Sequence, residues 1–362
     1  MMQQLGHKGT DLALLRSQFP ELLTMNEWLA RTGRRSLMCS CFLGSESASL
    51  RNRFCKLHKK IMTTKLTVLV AGATGMLGSK IVSALLDKGD VNVRVMVRSV
   101  NDSNLENRKK IDAMKALGAT IVEGNVMQPE TLLPACAGVD VVVSAIGNNE
   151  VTVPGQKNLI DAAKQQGVKR FIPSDYSVDY RKLDYGDNDN LDMRKEVFEY
   201  LQQSGLEYTL VLNGVFMEFI TYMPLFDLEH QIFQYWGDGE TPLDLTTTDD
   251  TAKYVAEAVS DPGLANTALE VAGDTLTAKQ LKATYEEATG SKLTEKSLGS
   301  IAEMKAWIAN KKASANSLEE YVYDQYMYAM VSGKGKLDRI VSDRYPHIKP
   351  KTVKQFLSKE NS

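Results

Sequence analysis

Cysteine and histidine are both scarce, four of each in 362 residues. Neither Cys39, Cys41, Cys55 and Cys136 nor His7, His58, His230 and His347 show the spacing of a zinc site, so no metal is expected. So few thiols exclude a disulfide scaffold and point to a reducing compartment. The net charge of −2 leaves no global field for nucleic acid or anionic lipid. Past residue 60 there is no clustered basic face of the kind a nucleic-acid binder needs, and no apolar run is long enough to span a bilayer. Internal repeats and low-complexity tracts are absent too. What remains is an ordinary globular composition, 43% hydrophobic and 24% charged, long enough for one large or two modest domains.

Acids are sparse in residues 1–61, where Arg31, Arg34, Arg35, Arg51, Arg53, Lys56, Lys59 and Lys60 accompany Ser45, Ser47 and Ser49. Such a leader is like an organelle transit peptide. The other reading starts translation at Met62, because MTTKLTVLVAGATG opens as compact nucleotide-binding domains open. Asp11, Glu21 and Glu27 count against a transit peptide. The segment is taken as an extension outside the chemistry, with a cytoplasmic location expected, or an organelle if it does target the chain.

From Lys65 onward short β-branched runs alternate with helical stretches. Strands are expected at 66–71 (LTVLVA), 91–97 (VNVRVMV), 119–123, 139–145 (VDVVVSA), 169–173 and 208–212. Helices are expected at 79–88, 105–117, about 155–166 and 191–203. Parallel neighbours need crossovers of this length. The pattern therefore predicts an α/β fold, a Rossmann-type doubly wound parallel sheet in the order 3-2-1-4-5-6 with right-handed connections. After Leu212 the regularity weakens, and a smaller C-terminal substrate lobe is expected. The division is 62–212 plus 244–260 for the nucleotide-binding domain, 213–243 plus 261–348 for the lobe, and 349–362 for a hydrophilic tail.

The first strand runs into Gly72-Ala73-Thr74-Gly75-Met76-Leu77-Gly78 and a helix begins at once. Gly72 permits the tight turn, Gly75 lets the backbone approach a pyrophosphate, and Gly78 lets helix and strand pack closely. The helix N-terminus then faces the phosphates with unpaired N–H groups. This glycine pattern follows a buried strand and opens a strand–helix–strand unit, the context that gives it meaning.

The end of strand two selects the cofactor. An NAD site places an acid there for the ribose hydroxyls. Here Val97 is followed by Arg98 and Ser99, with no acid until Asp102. Arg98 can meet a 2′-phosphate through charge-assisted hydrogen bonds, so NADP(H) is expected; the ordinary alternative for Arg98 is a solvated strand-end cation. Arg94, farther from that end, reads as structural. Ala145, Ile146 and Gly147 after strand four, and Ser174 and Tyr176 after strand five, should line the same crevice.

GATGMLG at 72–78, Arg98, VKRFIPSDYS at 168–177, DMRKEVFEYLQQSGLEYTLVLNGVF at 192–216 and TTTDDTAKYVAEAV at 246–259 together resemble the NmrA-like and isoflavone-reductase-like branch of the atypical short-chain dehydrogenases. The resemblance covers about 64–260. It implies a Rossmann domain with a small substrate lobe, and either NADPH-dependent reduction of phenolic molecules or NADP sensing with a regulatory protein as partner. The Tyr-x-x-x-Lys pair of ordinary short-chain dehydrogenases is missing. Tyr345 and Lys349 have its spacing, but Pro346 intervenes and they lie far along the chain. Reductases of the resembling branch carry a lysine on the helix before GxxYT. Counting back from Gly205, that lysine aligns with Arg194, and Lys195 is one step later, about 100° around the helix. The candidate catalytic residues are accordingly Lys195, Arg194 and Tyr176. A lysine can donate a proton when burial lowers its pKa, whereas an arginine only stabilises negative charge. Lys195 could equally be a surface partner of Glu199.

Asp249 and Asp250 read as a helix N-terminus rather than as catalytic acids. Phe216, Met217, Phe219, Tyr222, Met223 and Trp236 could wall a flat substrate or simply pack between lobes. The expected function is NADPH-dependent reduction of a small aromatic or carbonyl-containing molecule. The alternative is a non-catalytic NADP(H)-sensing regulator, and an epimerase is disfavoured by the missing Tyr–Lys pair. The expected partner is a small-molecule substrate, with a protein partner in the sensor case, and neither nucleic acid nor membrane.

Overall fold

The computed structural model describes residues 65–360; the readings of the 1–61 extension, and of Cys39, Cys41 and Cys55, lie outside them. The aliphatic run Thr67–Ala71 forms β1, buried along nearly its whole length, and the glycine turn carries the chain into α1 (Met76–Lys88). There follow β2 (Asn92–Val97), α2 (Leu105–Ala116), β3 (Thr120–Glu123), α3 (Leu132–Cys136), β4 (Val141–Ser144), α4 (Asn149–Gln165), β5 (Arg170–Ile172), α5 (Asp189–Ser204) and β6 (Glu207–Leu212). Every link between neighbouring strands of this sheet is parallel.

The remaining elements are β7 (Val215–Phe216), β8 (Phe226–Asp227), β9 (Ile232–Tyr235), β10 (Pro242–Thr246), α6 (Thr248–Ala258), β11 (Thr267–Glu270), β12 (Asp274–Thr277), α7 (Ala278–Thr289), β13 (Thr294–Ser297), α8 (Ile301–Ser314), α9 (Val322–Val331) and α10 (Val353–Glu360). The main sheet has seven strands in the order β11-β6-β5-β4-β1-β2-β3. The expected order of six is present, with a seventh added at the β6 edge. Residues along a strand alternate between two cores. Val68, Val70, Val93, Val95, Val141 and Val143 face α1, α2 and α6, while Leu69, Ala71, Met96, Val142 and Phe171 face α3, α4 and α5. Helices on both faces explain why the central strands read as unbroken apolar runs.

Two expected boundaries need correction. β11 lies within 261–348, the stretch assigned to the lobe, yet pairs in parallel with β6 from Thr267 opposite Thr209 to Glu270 opposite Leu212. Four residues, TALE, carry too little alternation to announce a strand, but they cover an edge that β6 would otherwise leave open. The expected tail holds α10, with Val353 and Leu357 buried in the lobe core; Val353, Phe356 and Leu357 have the i, i+3, i+4 spacing of an amphipathic helix. Smaller shifts concern helix starts. α4 begins at Asn149 rather than 155, because Asn148 accepts the Glu150 amide at 2.9 Å and Pro154 is accommodated inside the helix. α5 begins at Asp189, where Asn188 accepts the amides of Asn190 and Leu191 at 3.0 and 2.9 Å.

Two three-stranded sheets, β12-β10-β7 and β13-β9-β8, build the smaller lobe around a core that includes Phe233, Leu245, Leu281 and Met304. Among the described residues no helix is long and apolar enough to cross a membrane.

A Cβ at Gly78 would sit 2.2 Å from the Gly72 carbonyl oxygen. Gly78→Ala is therefore expected to lower unfolding free energy by about 1–3 kcal/mol in denaturant titrations. Gly147→Ala, whose methyl meets nothing within 4 Å, should change it by no more than about 0.5 kcal/mol.

Candidate functional site

The glycine turn is shaped by backbone contact. Gly72 has φ +77, and a Cβ there would lie 2.5 Å from the Ala145 carbonyl oxygen. The Ala145 amide in turn donates to the Ala71 carbonyl at 2.8 Å, so the ends of β1 and β4 are locked together beside the turn. Gly75 is the N-cap of α1 and offers no side chain; the first turn contains no acid. The amides of Met76, Leu77 and Gly78 precede the first i→i−4 bond, which Ser79 makes to Gly75 at 3.1 Å. Gly75 and the Met76 side chain are exposed, Leu77 is buried and Thr74 is half-buried. Ile146 is buried and Gly147 exposed beside the same end of the sheet.

Arg98 directly follows β2 and is exposed. The nearest acid downstream, Asp102, is turned to the start of α2, accepting the Asn104 amide at 2.9 Å and the Asn107 side-chain amide at 3.0 Å. These bonds, with a smaller contribution from the Arg98 charge, hold its carboxyl below the usual range. Lys110 on α2 extends to the Thr74 carbonyl at 3.2 Å and to Glu106 at 2.9 Å, bringing a second cation to the glycine turn. Sequence reasoning missed it because a lysine on an amphipathic helix carries no signal of where its end reaches. Arg94 is structural, as expected: one of its nitrogens donates to the Ala135 and Ala137 carbonyls at 2.9 and 2.8 Å.

At the end of β5 the Ser174 amide donates to Gln156 Oε1 at 2.9 Å. Asp175 is 1% exposed; its Oδ2 accepts the Tyr180 hydroxyl at 2.9 Å. Burial pushes its carboxyl up to about 7, against the pull of the Tyr180 hydrogen bond and the charges of Arg194 and Arg181. Tyr176 corrects an expectation. It adopts φ +22, and its ring enters the core beside Ile172 and Val143. Its hydroxyl donates to the Ser144 carbonyl at 3.0 Å, and burial raises its pKa. The hydroxyl expected to line the crevice is committed to the backbone at the end of β4.

Arg194 and Lys195 part company as helical phase requires. The Arg194 Nε donates to the Asp175 carbonyl at 3.0 Å, while another of its nitrogens donates to the Asn190 carbonyl at 3.1 Å and to the Asn190 side chain. Lys195 donates to the Leu183 carbonyl at 2.8 Å and lies 4.9 Å over the Tyr185 ring. Of the two, Arg194 is the one bonded to the loop that ends β5, while Lys195 is directed to Leu183 and Tyr185.

Thr247, not an aspartate, caps α6, accepting the Asp250 amide at 3.0 Å. Asp249 pairs with Lys80 at 2.7 Å, and neither acid stands free for catalysis. Tyr345 donates to Asp261 at 2.7 Å, which ends any pairing with Lys349 of the short-chain type. The aromatic set divides: Met217 and Met223 are core, Phe216 and Phe219 meet edge to face at 6.4 Å, Trp236 stacks near Trp307 at 5.9 Å, and Tyr222 is 78% exposed. Among the described residues no cluster of ligands could hold a metal ion.

Known proteins are similar to this chain in sequence and fold. Pinoresinol reductase 1 of Arabidopsis thaliana is 28% identical over 315 residues, 82% of this chain and 97% of that protein. Phenylcoumaran benzylic ether reductase PT1 of Pinus taeda is 28% identical over 317 residues, 82% and 99% of the two chains. The solved structure of AtPrR2 with NADP+ and (+)pinoresinol superposes with a TM-score of 0.72 at 25% identity, over 82% of this chain and 98% of that one. The family model that matches spans residues 64–357, taking in the glycine turn, the seven-stranded sheet and the smaller lobe alike: this protein belongs to the NmrA-like family.

Proposed function

We propose that the protein is an NADPH-dependent reductase of a small aromatic or carbonyl-containing molecule. The observation that carries the reading is the glycine turn. First-turn amides without a capping side chain, no acid among them, and a Gly72 position where a Cβ would strike Ala145 fit a diphosphate. Gly72, Thr74, Gly75, Met76, Leu77 and Gly78 would hold the diphosphate, with Lys110 at the rim. Arg98 would meet the 2′-phosphate, and Ala145, Ile146, Gly147 and Ser174 would line the crevice at the strand ends. The bound nicotinamide supplies the hydride.

The chain's own part is orientation and charge. The segment from β6 through Phe216, Phe219 and Tyr222 leaves the carboxyl edge of the sheet, where ligands gather in this fold, and offers rings against which a flat substrate would stack. Arg194 cannot release its proton, so its contribution would be to neutralise an oxyanion as it develops. The relatives named above, reductases of pinoresinol and phenylcoumaran ethers, support aromatic substrates. One observation favours the sensing alternative, namely arginine where the resemblance implies a catalytic lysine.

Calorimetric titration is expected to show NADPH bound more tightly than NADH, and Arg98→Ala to weaken NADPH by about 10- to 100-fold, the worth of a charge-assisted hydrogen bond, with NADH little affected. Equal affinities untouched by the substitution would refute the cofactor assignment. With a panel of quinones, phenolic ethers and carbonyls, Arg194→Gln should cut turnover about 100-fold, as loss of an oxyanion-stabilising donor does, with NADPH affinity retained. Lys195→Ala should cost less than about tenfold. Tight NADPH binding with no substrate turned over would leave the sensor.

A further inference from the structure

Unmet polar demand is concentrated at the loop that ends β5. The Ser174 amide is bonded to Gln156, the Tyr176 hydroxyl to the Ser144 carbonyl, and the Ser177 carbonyl accepts the amides of Asn213 and Gly214 at 3.1 and 3.2 Å. Among the described residues, seven buried side-chain polar atoms have no hydrogen-bond partner, and five of them belong to Ser144, Gln156, Asp175 and Asn213. All four residues are in this loop or bonded to it. Unpaired buried polar atoms cost stability and call for a reason. So does Tyr176, a non-glycine residue at positive φ.

At the middle of this loop lies Asp175, with Oδ1 among the unpartnered atoms and Oδ2 on Tyr180. The charged and titratable groups around it are Tyr180, Arg194, Arg181 and Asp179, with Tyr176, whose own ionisation the Asp175 charge opposes. Arg181 and Asp179 are largely spent on each other, at 2.7 and 2.8 Å, and Arg181 also pairs with Glu270 at 3.1 Å. Arg194 differs. Its hydrogen bonds run to carbonyl and amide oxygens of Asp175 and Asn190, all neutral. Among the described residues no acid forms an ion pair with this guanidinium, and the buried Asp175 carboxyl is the acid on which its charge is felt.

We propose that Asp175 is a positioning residue that sets the charge Arg194 presents to the crevice. Neutral, the carboxyl leaves the guanidinium uncompensated and ready for an oxyanion; ionised, it draws the guanidinium into a buried pair and cancels it. Burial holds the carboxyl near 7, so the neutral form prevails below that pH and the paired form above it. Coupling between the two groups is a property of the protein by itself; the catalytic consequence rests on the reductase reading.

The coupling is read by carbon NMR of full-length protein labelled at the aspartate carboxyls, with Asp175→Asn identifying the resonance. The wild-type signal is expected to titrate near neutrality. Arg194→Gln should move the midpoint upward by about one pH unit, a tenfold change in proton affinity, and Arg194→Lys, which keeps the charge, should restore most of it. A midpoint in the ordinary aspartate range, or one indifferent to Arg194→Gln while Arg194→Lys is folded and equally unshifted, overturns the proposal. In turnover assays the wild-type rate should fall as pH rises through the NMR midpoint, and Asp175→Asn should be flat there with NADPH affinity unchanged by calorimetry. Failure of the wild type to bind NADPH would refute the reductase reading alone. NADPH binding with an NMR midpoint that ignores residue 194 would refute this inference alone.

Discussion

The Gly72 backbone is approached by the Ala145 carbonyl at the end of β4 and by Gly78 in the first turn of α1, so closely that neither glycine could carry a Cβ. That approach sets where α1 begins and aims its unpaired amides past the ends of β1 and β4. The sheet order changes direction at these two strands, and in open α/β sheets the crevice at such a point is where ligands settle. Arg98 and Lys110 come to the same rim from β2 and α2, on elements that the parallel sheet holds in register. The NADP(H) reading is thus a consequence of backbone packing first and of side-chain charge second.

Chemistry at the other side of the crevice depends on helical phase. One residue's difference turns Lys195 to the Leu183 carbonyl and leaves Arg194 on the Asp175 carbonyl. A family lysine can be both cation and proton source; an arginine can be only the first. In the proposed reading that cation stays uncompensated while the Asp175 carboxyl beside it, raised by burial to about 7, keeps its proton.

Much of this was legible in the chain. The apolar runs of β1, β2 and β4 and the helices between them announced a parallel sheet, and the crossovers prescribed six of its seven strands in order. β11 was hidden because TALE is short and mixed, and α10 because a charged stretch masks three well-spaced apolar residues. The glycine turn was readable since backbone chemistry is local there. Tyr176 was misjudged because its direction depends on a positive φ that sequence does not reveal. The Lys110–Thr74 contact joins residues 36 positions apart, and the polar cluster around Asp175 brings in Gln156, Ser144, Arg194 and Asn213 from separate elements, so neither is written in any one stretch of the chain.

The central claim is that amides 76–78 and Arg98 hold a dinucleotide phosphorylated at its adenosine ribose. A crystal structure with NADP+ tests it most directly. Diphosphate oxygens are expected within hydrogen-bond distance of the first-turn amides of α1, and a 2′-phosphate beside the Arg98 guanidinium. A dinucleotide seated elsewhere, or one whose phosphates leave the turn at 72–78 untouched, would contradict it.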